Sequence, residues 1–268
     1  MSGALWAGRM ATERYEYKYR ILPSLVPEIR EAIRTYCDSD TASASGPYGV
    51  ASLYLDSPSR ILYRHTKERR AQRFKLRVRR YVDGPLFFEI KRRVKGVIVK
   101  SRVALDPEYW PAVVFDSRLI DRCGLSTADK RDLQEFLDRS LQVHAEPAVV
   151  VRYRREAYVS RVDDYGRVTF DFRLEGLRAN GYAIPISDEA GWQPFDVAER
   201  LDLPVSGVIL ELKCLTRVPL WMSDLAARFN LRALGFSKYS AALETVSDFP
   251  WDVGLLREPS RRAGGLRW

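Results

Sequence analysis

Histidine and cysteine are scarce in this chain: two histidines and three cysteines in 268 residues. Neither His65 nor His144 stands at ligand spacing from other metal-binding residue types. A histidine-based metal centre and a Ser-His-Asp triad are therefore not expected. Cys37, Cys123 and Cys214 lie far apart, form no CxxC pair and are odd in number. That argues against a disulfide framework and for a reducing, cytoplasmic compartment. No apolar run approaches the roughly 18 residues of a membrane-spanning helix. The apolar part of the N-terminal stretch is too short for a signal peptide. Residues 1–12 read as a disordered leader or a misassigned start, since Met10 is as good an initiator as Met1. Acid is also short, with 35 Asp and Glu against 44 Lys and Arg and a formal net charge of +9. Such a balance favours a polyanionic partner: nucleic acid, polyphosphate, a nucleotide or an anionic membrane.

What is present in quantity is alternation. KLRVRR, Lys75 to Arg80, read as a strand, puts Lys75, Arg77 and Arg79 on one face and Leu76 and Val78 on the other. On its own such a face is most simply a wet outer surface. The same polarity recurs, however. Residues 13–20 alternate Arg14, Glu16, Lys18 and Arg20 with three tyrosines. Segment 86–93 sets Glu89 and Lys91 against Phe88 and Ile90, and 97–104 puts Lys100 and Arg102 on one face. In 149–158, Tyr153, Arg155 and Ala157 oppose Arg152, Arg154 and Glu156. In 167–174, Arg167, Thr169, Asp171 and Arg173 oppose Val168, Phe170 and Phe172; 207–214 sets Glu211 and Lys213 against Leu210 and Leu212. Segment 50–57 is a possible eighth strand. Turns at Asp83-Gly84-Pro85, Lys95-Gly96 and Asp163 to Gly166 make these segments antiparallel hairpins.

Helical periodicity appears from Ser24, with Ile29, Ile33 and Tyr36 on one stripe. A weaker helix is expected near 107–118, and a stronger one after Ser126 carrying Leu133, Phe136, Leu137 and Leu141. Pro219 opens a helix with Trp221, Leu225 and Phe229, and another begins at Ser237. Residues 58–72 read as a loop or short helix, and 178–206 as a long irregular connection. With no repeat and no linker, the expectation is one α+β domain over 13–250: an antiparallel eight-stranded β-barrel or tunnel with surrounding helices. A basic C-terminal tail, 251–268, follows.

If the apolar faces point outward under the helices, the interior holds many cations and a few carboxylates. Such a lining is unstable unless an anion fills it, because each buried cation costs several kcal/mol unless paired. A triphosphate or polyphosphate accepts many charge-assisted hydrogen bonds, and carboxylates can hold a divalent ion that bridges phosphate oxygens. Phosphoryl transfer asks for little beyond positioning and charge neutralisation.

RYEYKY, SLYLDS, KLRVRRY, FFEIKRR, YRREAY, RVTFD, LELK and SKYS, in that order, resemble the VTC domain. This is the polyphosphate polymerase domain of the CYTH, or triphosphate tunnel metalloenzyme, superfamily. The resemblance spans roughly 13 to 246. It implies that Lys18, Arg77, Arg79, Lys91, Arg155, Arg167 and Lys238 bind phosphates, with Lys238 at the start of a helix that closes one tunnel end. It implies Glu211 as metal ligand with Glu16 and Glu89 as further carboxylates, and Mn²⁺ or Mg²⁺ as the ion. Lys75, Arg102, Lys213 and Tyr54 are further candidates for substrate contact. Hydrolytic tunnel enzymes begin with an ExExK strand, whereas this chain has Arg14-x-Glu16-x-Lys18, which weakens a hydrolytic reading. Fungal VTC proteins join this domain to membrane helices and a phosphate-sensing domain; neither is in this sequence, and a stand-alone soluble version is the expectation.

The leading expectation is therefore transfer of the γ-phosphate of ATP onto a growing polyphosphate chain. Hydrolysis of tripolyphosphate or a nucleoside triphosphate, and a non-catalytic polyphosphate-binding module, are the alternatives. Nucleic acid is not expected, because the tyrosines of 13–20 sit on the face opposite the cations. A membrane-associated partner stays open. Lys95 and Lys100 have solvated readings, as does the start of the Lys238 helix; Asp171 reads either as a neutraliser of Arg167 or Arg173 or as a metal ligand.

Overall fold

The computed structural model describes residues 15–247, apart from 83, 95–96, 164, 189–190 and 216. The expected leader, Arg14, the Lys95-Gly96 turn and the basic tail lie outside the described residues. In chain order the elements are β1 (Tyr15–Ile21), α1 (Leu25–Ile33), β2 (Cys37–Ser39), β3 (Tyr48–Asp56), α2 (Ile61–Lys67), β4 (Gln72–Tyr81), β5 (Leu86–Val94) and β6 (Val97–Leu105). There follow α3 (Ala112–Phe115), α4 (Thr127–Gln142), β7 (Glu146–Ser160), β8 (Gly166–Arg178), β9 (Gln193–Pro194), α5 (Ala198–Leu201), β10 (Val208–Cys214), α6 (Leu220–Arg228) and α7 (Lys238–Val246).

The long strands form one antiparallel sheet in the order β1-β10-β8-β7-β3-β4-β5-β6. The expected strands are all there, but the closed barrel is not: among the described residues no ladder joins β1 to β6. The free edge of β1 is taken instead by the connection between α6 and α7. Tyr19 bridges to Ala233, and the Leu234 N–H donates to the Lys18 carbonyl at 2.8 Å. These two contacts occupy the β1 edge at Lys18 and Tyr19, where another strand would otherwise pair. The sheet nevertheless curls far enough for Lys91 on β5 to reach Glu16 on β1, at 2.8 Å.

Period-two alternation decides what lies on each side of the curl. Leu76, Val78, Phe88, Ile90 and Val103 point outward and are buried under Leu133, Phe136 and Leu137 of α4. On the other half, Tyr19, Ile21, Val168, Phe170, Leu210 and Leu212 are covered by Val26, Ile29 and Ile33 of α1 and by Trp221, Met222 and Leu225 of α6. The expected tyrosine face of β1 is only partly covered, since Tyr15 is 43% exposed. Ser126 caps α4, its hydroxyl accepting from the Asp129 N–H at 3.1 Å. Leu141, expected on the buried stripe of that helix, is 73% exposed and lies off it. The helix expected near 107–118 breaks into a 3-10 turn at Pro107–Tyr109, the short α3, and a second 3-10 segment at Ser117–Arg122. The side chains of Asp106 and Asp116 each accept a backbone N–H at these starts, favouring local turns over one continuous helix.

A third apolar cluster lies inside the curl. Tyr54, Val149, Val151, Tyr153, Leu174 and Ile209 pack around Tyr239, Ala242, Leu243 and Val246 of α7. One interior stretch is thus filled by α7, whose first residue is Lys238. Two details fit the helix there. Arg173, expected on the face of Asp171, sits at a bulge with φ 50, which shifts the phase of β8 so that Leu174 turns inward. Gly176 then meets the helix: a Cβ there would lie 3.1 Å from Ala242 Cβ and 3.2 Å from Val246 Cγ1. Gly176→Ala is expected to destabilise the fold by about 1–3 kcal/mol through overpacking, read as a lowered urea midpoint at unchanged m-value.

Candidate functional site

The inner faces of eight strands supply the site. Lys18 and Glu211 are directly opposite in the β1–β10 ladder, as are Arg77 and Glu89 in β4–β5 and Arg155 and Asp171 in β7–β8. Each carboxylate expected from the alternation therefore arrives beside a cation through strand register alone.

Around these pairs the curl gathers more charge. Glu89 is 1% exposed and sits among four cations. Its carboxylate accepts from Arg77 at 2.5 Å and forms ion pairs with Lys100 at 2.6 Å, Arg102 at 3.5 Å and Arg79 at 4.0 Å. Glu16 holds Lys91 at 2.8 Å and Lys18 at 3.1 Å. Glu211 accepts from Lys238 at 2.9 Å and Arg155 at 3.4 Å, and forms ion pairs with Lys213 at 2.8 Å and Lys18 at 3.6 Å. Asp171 takes Lys238 at 2.5 Å and Arg155 through both guanidinium arms, at 2.6 and 2.8 Å. Tyr54 accepts from Arg77 at 3.0 Å. Lys75 is the exception: it donates to the Ser237 hydroxyl at 2.8 Å, and among the described residues no carboxylate pairs with it.

Titration follows this crowding. Burial opposes ionisation of Glu89, but Arg77, Arg79 and Lys100 outweigh it and hold the carboxyl well below the usual range. The same contest leaves Glu16, Asp171 and Glu211 lowered, through Lys18, Arg155 and Lys213 respectively. On the cationic side, burial and the repulsion of Lys18 and Lys91 push Lys75 well down. Burial also lowers Lys91 despite Glu16, and pushes Lys100 down to about 7 despite Glu89. Lys238 is raised, because Asp171 and Glu211 outweigh its burial. Cations outnumber carboxylates on this surface, and Lys75, Lys91 and Lys100 carry the strain.

Most of the residues expected from the sequence come together: Lys18, Lys75, Arg77, Arg79, Lys91, Arg102, Arg155, Lys213, Lys238, Tyr54, Glu16, Glu89 and Glu211 all face one interior. Arg167 does not join them. It lies at the rim, 47% exposed in its side chain, and pairs with Asp40 at 3.0 Å. Lys100 belongs inside with Glu89 rather than in open solvent. Asp171 neutralises neither Arg167 nor Arg173 but Arg155 and Lys238. Ser237, which caps α7, and the inner-face aromatics Tyr48 and Phe87 were not among the expected site residues, although strand parity places both rings with the cations; Tyr153 lies on the face of Arg155, as expected. Arg152 and Arg154 lie outside, as expected, bonded to Glu175 and the Pro47 carbonyl.

The three carboxylates expected to hold a metal do not form one set. Among the described residues no group of three His, Cys, Asp or Glu side chains gathers at ligand distance. Glu89 is enclosed by cations and does not suit a divalent ion. Glu16 and Glu211 do: both approach the same Lys18 ammonium, which stands where a shared cation would. One or two carboxylates completed by phosphate oxygens is a usual arrangement for Mg²⁺.

Replacing Glu89 by Gln is expected to cost about 3–5 kcal/mol, since it strips a buried counter-charge from several cations. The check is urea unfolding at low salt, with inorganic tripolyphosphate restoring part of the loss as a replacement anion.

Among solved structures the fold resembles the PH1819 protein of Pyrococcus horikoshii OT3, at 11% identity over 86% of this chain and 99% of that one, with a TM-score of 0.40. It also resembles the putative adenylyl cyclase HpAC1 from Hippeastrum, described as revealing a dominant triphosphatase activity. That match has 15% identity over 88% of this chain and 97% of the other, with a TM-score of 0.41. No curated protein matches. The family model of the VTC domain matches residues 13–247, and with nearly all of its strands and its charged interior inside that match, the chain belongs to the VTC domain family.

Proposed function

We propose that this chain transfers the γ-phosphoryl group of ATP to the end of an inorganic polyphosphate chain lying in the curled sheet, with Mn²⁺ or Mg²⁺. The observation that carries the reading is Lys75, held among other cations with, among the described residues, the Ser237 hydroxyl and no carboxylate as partner. A phosphate beside it supplies the missing counter-charge and acceptor oxygens.

In this reading Arg77, Arg79, Lys91, Arg155 and Lys238 release part of their hold on the carboxylates and bind phosphate oxygens. Glu16 and Glu211 would hold the divalent ion, which would neutralise charge on the triphosphate. A terminal phosphate oxygen of the acceptor attacks the γ-phosphorus, the bond to the β-phosphate oxygen breaks, and ADP carries away the electron pair. The cations spread along the lining oppose the charge on both the attacking and the leaving oxygens.

The choice between a phosphate and a water as acceptor turns on basicity. A phosphate terminus is already an anion at neutral pH and needs no base. Water needs a group with a pKa near the working pH to remove its proton. The interior carboxylates are all held below their usual range by cations and are poor bases. Lys100, pushed down to about 7, is the interior group in that range, so a water acceptor would depend on Lys100 whereas a phosphate acceptor would not.

Incubation with ATP and Mn²⁺, resolved on a polyacrylamide gel, tests this. A ladder of polyphosphate is expected; free phosphate without a ladder overturns the transfer in favour of hydrolysis. Binding of polyphosphate with neither product leaves a binding module.

The lowered lysines add a pH signature. In the free protein Lys75, Lys91 and Lys100, the last near 7, hold their protons less firmly than ordinary lysines. Bound phosphate raises them again, so binding takes up protons and weakens as pH rises above about 7. Calorimetry of polyphosphate binding at pH 8, in buffers of different ionisation enthalpy, is expected to show net proton uptake; net release contradicts it.

A further inference from the structure

The phosphate-binding reading uses cations, yet one part of the inner surface is aromatic. Tyr48 on β3, Tyr81 on β4 and Phe87 on β5 occupy the inward positions of neighbouring strands. Their rings form a corner rather than a stack. Tyr81 and Phe87 meet edge to face, at 5.5 Å and 81°, and Tyr48 is tilted 46° to Tyr81 at 6.1 Å. Ring faces in such a corner are not used up against each other. The three side chains are only half-buried. The Arg102 guanidinium lies over the Phe87 face, 3.7 Å from its centroid, and 6.0 Å from that of Tyr81.

Position gives this corner a meaning. Along β4 the inward residues run Lys75, Arg77, Arg79 and Tyr81. Lys75 touches Ser237 at the start of α7, while Tyr81 stands six residues further on, about 20 Å away at strand rise. Along β3, Tyr54 stacks on Tyr239 of α7, and Tyr48 stands six residues away in the same sense. The aromatic corner is thus at the end of the lining away from α7. It is also joined to the phosphate-binding cations. Arg79 lies beside the Tyr81 hydroxyl, and Arg102 approaches Glu89, the carboxylate that also holds Arg77.

We infer that Tyr48, Tyr81, Phe87 and Arg102 form a subsite for the heteroaromatic base of a nucleoside triphosphate whose phosphates lie along Arg79 and Arg77. Bases stack on aromatic side chains and on guanidinium planes with little demand for hydrogen-bond partners. The subsite therefore selects a nucleoside triphosphate over inorganic tripolyphosphate and prefers purines, whose stacking area is larger, without reading base edges. This rests on phosphate binding in the interior, as proposed above, and adds the part of the donor that phosphate contacts do not explain.

The test compares two probes on wild type, Tyr81→Leu and Phe87→Leu. Calorimetry gives the dissociation constants of ATP and of inorganic tripolyphosphate, and 1,N6-ethenoadenosine triphosphate reports stacking through quenching of its fluorescence. Each variant is expected to weaken ATP roughly tenfold, to reduce the quenching, and to leave tripolyphosphate within twofold, which also shows that the variant is folded. Unchanged ATP affinity overturns the subsite. Equal weakening of both probes overturns it too, since the residues then shape the phosphate lining. Should wild type bind neither probe, the failure lies in the phosphate reading itself.

Discussion

Repulsion between like charges on the inner face of a curled sheet is what the rest of this molecule has to contain. Lysine and arginine side chains from β1, β4, β5, β6, β7 and β10, and from the start of α7, converge on one interior. Glu16, Glu89, Asp171 and Glu211 keep it assembled, each bound to at least two cations. Charge-assisted hydrogen bonds at such distances are strong, but desolvation consumes much of their benefit. The remainder of the imbalance appears as lysines with lowered proton affinity, most clearly Lys75. A lining in that condition is prepared for a multivalent anion.

Stability is supplied elsewhere, and the division is spatial. The outward faces of the same strands are apolar and buried under α4 on one half and under α1 and α6 on the other. Each strand thus contributes burial on one side and charge on the other, so the charged side chains of the interior are carried on rigid, well-packed backbone. α7 is the element that serves both purposes. Its apolar side fills part of the interior against Val149, Val151, Leu174 and Ile209, and its first residue, Lys238, reaches Asp171 and Glu211. Tyr239 is tied to the buried Asp56 carboxylate, which also accepts the N–H groups of Leu62 and Tyr63 at the start of α2. The placement of Lys238 is therefore fixed through packing and a buried polar network rather than by its own contacts alone.

Much of this was legible beforehand because strand parity is local. Alternation in KLRVRR, FFEIKRR and LELK separates anion-facing from core-facing residues without knowledge of the neighbours. Where reasoning failed, a local rule had been broken by something non-local or by one irregular residue. Arg173 was grouped with Asp171 until a bulge reversed the phase of β8. Lys100 carried a solvated alternative beside its place on the charged face of β6, because its partner, Glu89, is on another strand. The segment near 107–118 carries helical composition, but Asp106 and Asp116 stop it with local turns. Tyr54 and Tyr153 are placed with the cations by parity, but that Tyr48, Tyr81 and Phe87 meet at one corner depends on the register of three strands.

The sequence by itself determined the polarity of each strand, the antiparallel hairpins and the surplus of cations over carboxylates, because these depend on residue type and spacing along one chain. Pairing was left to the tertiary structure. The curl brings Lys91 to Glu16, places Lys75 where no carboxylate among the described residues pairs with it, and sends Arg167 to the rim with Asp40. It also leaves the sheet open between β1 and β6, where the connection to α7 takes the β1 edge. The reason is distance: charges act on one another across a few ångströms of space, and which charges come that close is decided by register, bulges and curvature.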